Sequence, residues 1–264
     1  MKETTTVADN AAQSKALAPY EVFRSELQQR QDEIATLLPS TISRETFVNV
    51  AIIATKQTPE LLDCDRRSLH KAVTTAARDG LMPDGREGVI LPQNEKVKDK
   101  ATGKDTWIKS ARWQPMVYGL RKRARELDNI IIDAQVVYEH DHFRRLQGDD
   151  PRIEHEPAPL GQPRGKRVGA YAIFKRGSEV IHREVMAADQ IEAVMAISRN
   201  PNGLMWASFT DEAWRKTVVR RGSKTLPCSD TLRGVIERDD DLYDVSKRPA
   251  AVSGPPPAPP RKLA

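Results

Sequence analysis

The chain has two cysteines, Cys64 and Cys228, too far apart for a metal-ligand spacing or a disulfide framework. A reducing, cytoplasmic setting is the simplest expectation. No apolar run approaches the roughly 20 residues that cross a bilayer, and Met1 to Ala18 lacks the basic start and apolar stretch of a secretory leader. No membrane partner is expected. A phosphate-cradling GxxxxGK[ST] is also missing: Gly161-Gln162-Pro163-Arg164-Gly165-Lys166 has the wrong spacing and contains a proline. ATP-driven chemistry is therefore not expected, nor is any required cofactor. Neither cysteine has an evident histidine partner, so no nucleophile is indicated.

What the chain does have is separated charge. Its 42 Lys and Arg exceed its 37 Asp and Glu by only five, yet three stretches carry bases and no acid: Arg112 to Arg125, Arg164 to Arg176, and Arg215 to Lys224. Acids gather in Glu237, Asp239, Asp240, Asp241 and Asp244. Such separation suits a positive surface for a polyanion, with the acidic stretch kept apart.

The pattern predicts an α+β fold in which a short antiparallel sheet of hairpins packs with helices. Residues 1–19 read as a disordered segment, 20–228 as the folded DNA-binding domain, and 229–264 as an acidic, then proline-rich, flexible tail. Val22 to Leu38 reads as one amphipathic helix. Ser43 caps a second, with Phe47, Val50, Ala51 and Ala54 inward, and Ser68 a third, with Leu69, Ala72, Val73 and Ala76 inward and Gly80 ending it. A strand at Gly88 to Leu91 leads to a basic hairpin tip at Lys96 to Lys104 and a strand at Trp107 to Trp113. A helix then covers Pro115 to Leu127, and Ile130 to Tyr138 is β-rich. Glu139 to Gln162 reads as an irregular connection. Val168 to Phe174 and Val180 to Met186 form a hairpin. Asp189 with Glu192 suggests a capping box for the next helix, and a last helix runs from Thr210 to about Lys224.

Candidate nucleic-acid contacts come from the basic stretches. On the last helix Lys216, Arg220 and Lys224 recur every four residues, Arg215 and Arg221 adjoin them, and Trp214 lies inside the run. Cations so placed can meet successive phosphates, and an exposed indole can stack bases at roughly 1–3 kcal/mol each. A solvated helix face and a core tryptophan are the alternatives. The Pro115 to Leu127 helix adds Arg121, Lys122, Arg123 and Arg125, preceded by Arg112 and Trp113; Arg121 and Arg125 share a face. Lys96, Lys98, Lys100, Lys104 and Lys109 can close over a strand or simply form a soluble loop. One cluster has metal-ligand chemistry, Glu139, His140, Asp141 and His142 with Asp149, Asp150, Glu154 and His155 downstream, which a two-metal nuclease would use. Adjacent residues point apart, however, and no i, i+4 ligand pair is apparent.

The order of several segments resembles the RecT family of phage-encoded single-strand annealing proteins, from about Leu37 to Pro227. The matching pieces are Leu38-Pro39, Cys64-Asp65, Asp79-Gly80-Leu81-Met82-Pro83-Asp84-Gly85, Leu91-Pro92 and Asp133-Ala134-Gln135-Val136-Val137. They continue with Trp206 and Trp214-Arg215-Lys216-Thr217 through Arg220-Arg221 to Leu226-Pro227. The resemblance implies an ATP-independent protein that binds single-stranded DNA and anneals it to a complementary strand, assembled as a homo-oligomeric ring or helical filament. It also implies a phage exonuclease and a host single-strand-binding protein as partners, and a phage or prophage gene acting in a bacterial cytoplasm. Lys216, Arg220 and Arg221 fall on the family's basic positions. Two places depart from it: Pro115-Met116-Val117-Tyr118-Gly119 stands where the family often has Gly-Tyr-Lys/Arg-Gly, and Glu139-His140-Asp141 where it often has Glu-Gly-Asp. The rival readings are a metal-dependent nuclease using Glu139 to His142, and a sequence-specific duplex-binding regulator using the final helix.

Overall fold

Helix starts and stops lie close to the capping chemistry, with local corrections. A computed structural model describes residues 19–98, 105–198 and 201–240, which form two compact units. The first takes in the described parts of 19–85 and 89–113, the second 86–88 and 114–240. Expectations for residues 1–18, for Lys100 and Lys104 at the hairpin tip, and for the tail beyond 240 lie outside the described residues.

In the first unit the predicted opening helix is two, α1 (Pro19–Gln29) and α2 (Gln31–Ala35), broken at Arg30. They bury Phe23, Leu27 and Ile34. Helix α3 (Arg44–Gln57) starts as expected, the Ser43 hydroxyl accepting from the Thr46 N–H. Its inward face is slightly rotated, so Val48 and Ile52 join Phe47 and Ala51 while Val50 and Ala54 are half-buried. Helix α4 (Arg66–Asp79) is capped by Asp65, whose carboxylate accepts from the Ser68 N–H at 2.8 Å. Ser68 is thus the third residue of the helix and not its cap. Gly80 ends α4 in the left-handed conformation, φ 65°, which costs glycine little. Strands β1 (Gly88–Lys98) and β2 (Asp105–Pro115) make a two-stranded sheet. Trp113 on β2 is buried and donates its indole N–H to Asp79 at 2.8 Å.

The second unit is built on an antiparallel sheet in the order β3 (Ile130–Tyr138), β6 (Arg167–Arg176), β7 (Glu179–Ala187). The register pairs Ala134 with Ala172 and Ala172 with Glu184, so alternate residues divide cleanly between two faces. Helix α8 (Thr210–Ser223) packs on one face, that of Ala170, Ala172 and Phe174. A Cβ added to Gly222 would lie 2.5 Å from Phe174 Cε2 and 2.9 Å from Glu184 Cβ. The helix therefore sits as near the sheet as a residue without a side chain permits. Around it lie α5 (Val117–Asp128), α6 (Ala188–Ala196) and α7 (Leu204–Ser208). The first turn of α6 is held by the Gln190 side chain, which accepts from the Ala187 N–H at 3.2 Å; Asp189 is not the cap.

Two further elements were not expected. The supposed irregular connection contains a hairpin, β4 (His142–Leu146) and β5 (Arg152–Glu156), in register from His142 opposite Glu156 to Leu146 opposite Arg152. The acidic region continues the fold as α9 (Asp230–Asp240), burying Leu232, Val235 and Ile236 against α5 and α8. Ser229 fixes its start by donating through backbone and hydroxyl to Asp128 at the end of α5. Folded structure therefore runs twelve residues past the expected boundary at 228. Among the described residues no helix is long and apolar enough to cross a membrane.

The close approach of α8 makes a prediction. Gly222→Ala should destabilise the protein by about 1–3 kcal/mol, the range for overpacking a filled core. A urea-unfolding midpoint equal to that of the parent would show that the helix can ride up at no cost.

Candidate nucleic-acid interface

The Pro115 to Leu127 region folds as expected into a helix, and its wheel sorts the bases. At about 100° per residue, Leu120, Arg123 and Ala124 fall on one side and are buried. Tyr118, Arg121, Lys122 and Arg125 fall within an arc of about 100° on the other. Tyr118 is 46% exposed, and the Arg86 guanidinium lies over its ring at 4.0 Å. Arg125 is exposed and Arg121 half-exposed, and neither pairs with a carboxylate among the described residues. Lys122 bonds Glu87 at 2.7 Å. Arg123 is turned in, 5% exposed and bonded to Glu126 at 2.6 Å, so its expected place among the DNA contacts is corrected.

On α8 the structure corrects the expectation more sharply. The helix is wrapped by the sheet and by neighbouring helices, which leaves little of it at the surface. Trp214 is 5% exposed, and a buried indole offers no face to a base. Arg220, the middle of the i, i+4 row, is 6% exposed. Lys216 is half-buried, while Arg221 and Lys224 reach the surface. The run lacks acids in sequence but not in space: Arg215 bonds Glu212, and Arg221 lies 3.2 Å from Glu184 on β7. Arg112 sits half-buried on β2 in the first unit. Of the hairpin lysines, Lys96 pairs with Asp105 and Lys109 with Asp63 and Glu60.

Sequence reading passed over Arg86 and Trp107 and named Tyr118 only as part of a departure from the family pattern. Tyr118 was visible in principle, standing three and seven residues before Arg121 and Arg125 and opposite Leu120 and Ala124. Arg86 comes from a separate segment, and no local pattern joins it to the helix. Trp107, on β2, is 66% exposed in a basic hairpin; it has the same strand parity as the buried Ala111 and Trp113, so alternation gave no signal of its exposure.

The carboxylate–histidine cluster is a structural knot. Asp141 has a fully buried side chain and accepts from the Tyr138 N–H, the Ala158 N–H and the Arg164 guanidinium, with His155 Nε2 3.1 Å away. Its acceptor sites are filled. Among the described residues no group of three His, Cys, Asp or Glu is placed to hold a metal. Nearby, Asp211 accepts from the Tyr138 hydroxyl and lies 2.6 Å from Arg167.

The matched segments, the alternating sheet and the basic helix face together invite comparison with known proteins. The RecT family profile matches residues 45–252, most of the chain. The chain belongs to the RecT family. It is 27% identical over 212 residues to Protein RecT of Escherichia coli strain K12, covering 80% of this chain and 76% of that protein. As a RecT-family member it is a single-strand annealing protein of DNA recombination, and neither the nuclease nor the duplex-regulator reading is favoured.

Asp141 gives a pH-dependent prediction for this RecT-family chain. Burial raises its pKa, but the Arg164 guanidinium and the N–H groups of Ala158 and Tyr138 outweigh that and hold it well below its ordinary 3.8. A depressed folded pKa contributes stability that is fully present above the unfolded value and is lost as pH falls through the folded one. The loss should therefore begin below about pH 4. Asp141→Ala should cost about 3 kcal/mol at neutral pH, the low end for breaking a buried pair because Arg164 is partly exposed. It should also flatten the acid limb of a stability–pH curve. An acid limb as steep as the parent's would remove Asp141 from this role.

Proposed function

We propose that the exposed face of α5 grips the phosphates of a single strand, with Tyr118 and Arg86 as a stacking platform at its end. The supporting observation is that Arg121 and Arg125 share this face without carboxylate partners among the described residues, beside an exposed aromatic ring. Cations left together repel one another, and a polyanion relieves that repulsion. Lys216, Arg221 and Lys224 at the surface edge of α8 extend the positive field within the same unit.

Annealing of this kind requires no catalytic side chain, ATP or other cofactor. Two strands repel through their phosphates, and neutralising one removes much of the barrier. Bases left facing outward can then test a complement, each correct step gaining about 1.4 kcal/mol of stacking. Assembly of many copies into a ring or filament multiplies modest contacts by effective concentration. A phage exonuclease would expose the strand and a host single-strand-binding protein would compete for it, in a bacterial cytoplasm.

Arg121→Gln with Arg125→Gln should reduce the slope of log affinity against log salt by about 1.4, at 0.7 per phosphate for single strands. Tyr118→Ala should weaken binding roughly fivefold to tenfold with the slope unchanged. Titrations of labelled oligonucleotides at several salt concentrations separate the two effects. The α5 placement fails if the double variant keeps both affinity and slope. Preference for one duplex sequence over any single strand would remove the annealing reading itself.

A further inference from the structure

The face of the sheet away from α8 carries Val137, Gly169, Tyr171, Arg183 and Val185 by register. The β4–β5 hairpin lies over part of it, Phe143 stacking on Tyr171 at 5.7 Å and His155 meeting the same ring edge-on. Cross-strand pairing puts Arg145 opposite Ile153 on the same hairpin face as Phe143 and His155. Two openings result. One, of about 410 Å³, is lined chiefly by apolar groups including Val137, Phe143, Val168 and Val185, and also by Asp189 and Gln190. That volume is within the range of small-molecule sites, about 300–1,000 Å³. The other, of about 180 Å³, is lined by Arg145, Arg152 and Arg183. Arg145 borders both.

The charges here are unequal in a telling way. Arg152 is bonded to Asp150 and Glu154. Arg145 and Arg183 have no carboxylate partner among the described residues, although they line one small pocket. Like charges confined together cost free energy unless an anion joins them. An aromatic-bordered apolar recess beside two unneutralised guanidiniums has the form of a nucleotide site: a ring in the recess, a phosphate on the arginines.

We infer that this groove holds one unpaired nucleotide of a bound single strand, its base in the recess beside Phe143 and Val185 and its phosphate on Arg145 and Arg183. Asp189 and Gln190 are placed to accept from, or donate to, the edge of the base. This rests on the reading that the chain binds single strands, and adds a second contact separate from α5. One base anchored per protomer leaves neighbouring bases free to test the complement.

The test uses the full chain and a 30-nucleotide single strand, unmodified or with abasic sites at regular intervals. Arg145→Gln with Arg183→Gln should weaken binding about tenfold at low salt and reduce the salt slope by about 0.7, for the one phosphate the two arginines share. The abasic strand should bind the parent roughly fivefold to tenfold more weakly than the normal strand. Val185→Trp, which fills the recess, should lower affinity for the normal strand and erase that difference without changing the slope. Circular dichroism and thermal midpoints check each variant's fold; if Val185→Trp unfolds, the abasic comparison on the parent decides the base contact. Wild-type affinity and slope in the arginine double variant, while the α5 variant loses both, would overturn the groove and leave the α5 reading standing. Retained DNA affinity with altered assembly size in sedimentation would assign the groove to an acidic segment of another copy, and equally overturn it. Loss of effect in both arginine pairs would bring down the single-strand reading first.

Discussion

A buried carboxylate positions everything on the outer side of the sheet. Asp141 gathers the turn after β3 through Tyr138, the β5 strand through His155, the following loop through Ala158, and the approach to β6 through Arg164. A carboxylate taken from water and left bare would be among the costliest features a core can hold. Filled on both oxygens, it becomes a clamp with a fixed geometry. Through it the β4–β5 hairpin is laid over Tyr171, and the openings beside Phe143 and Arg145 exist because the hairpin cannot swing away. The same interaction leaves Asp141, in the densest cluster of metal-ligand residue types, without a lone pair to offer a metal. A ligand set needs lone pairs facing an empty centre, and those of Asp141 face N–H groups.

Charge counted along the chain and charge counted in space give different maps. Along the chain, α8 is the strongest basic segment and α5 one of several. In space, Glu212 and Glu184 come to two of the α8 cations, and the packing that makes α8 the central helix buries Arg220 and Trp214. Among the described residues the α5 stripe keeps Arg121 and Arg125 without acid partners, and the sheet groove does the same for Arg145 and Arg183. Surface ion pairs contribute little to stability, but they matter for recognition, because a paired cation must give up its partner before it can neutralise a phosphate. Positions that stay unpaired in the folded chain are therefore those from which a polyanion gains most.

The sheet was legible because its strands alternate: Ile132, Ala134 and Val136 turn to one side and Asp133 and Gln135 to the other, and Gly177 marks the β6–β7 turn at φ 61°. Helices α3 and α4 were legible through Ser43, Gly80 and their apolar stripes. What escaped had a physical cause in each case. The β4–β5 hairpin is rich in charge because much of it faces water, and its few inward groups, Phe143, Ile153 and His155, do not look like a core. Helix α9 hides three buried apolar residues among acids, and its start depends on Asp128, about a hundred residues earlier. The site was half legible for the same reason. A helix wheel reveals that Arg121 and Arg125 share a face, but only the fold reveals which acids reach which bases, and that Arg86 arrives over Tyr118.

An annealing protein must hold a strand and later surrender it to a duplex, which argues for few strong contacts per copy. Arg121, Arg125, Arg145 and Arg183, which have no carboxylate partner among the described residues, would on the proposed reading meet three phosphates and contribute a salt slope of only about 2.1 on a single strand, so one protomer alone would bind weakly at physiological ionic strength. Copies arrayed along a strand, if the chain assembles as proposed, would turn that weakness into firm but locally reversible binding, since detaching one protomer costs little while detaching all costs the sum. Formation of the duplex would then compete with one protomer's contacts at a time, each correct step gaining about 1.4 kcal/mol of stacking. A much more basic surface would bind the strand better and anneal it worse. The modest excess of five positive charges in this chain is consistent with that compromise.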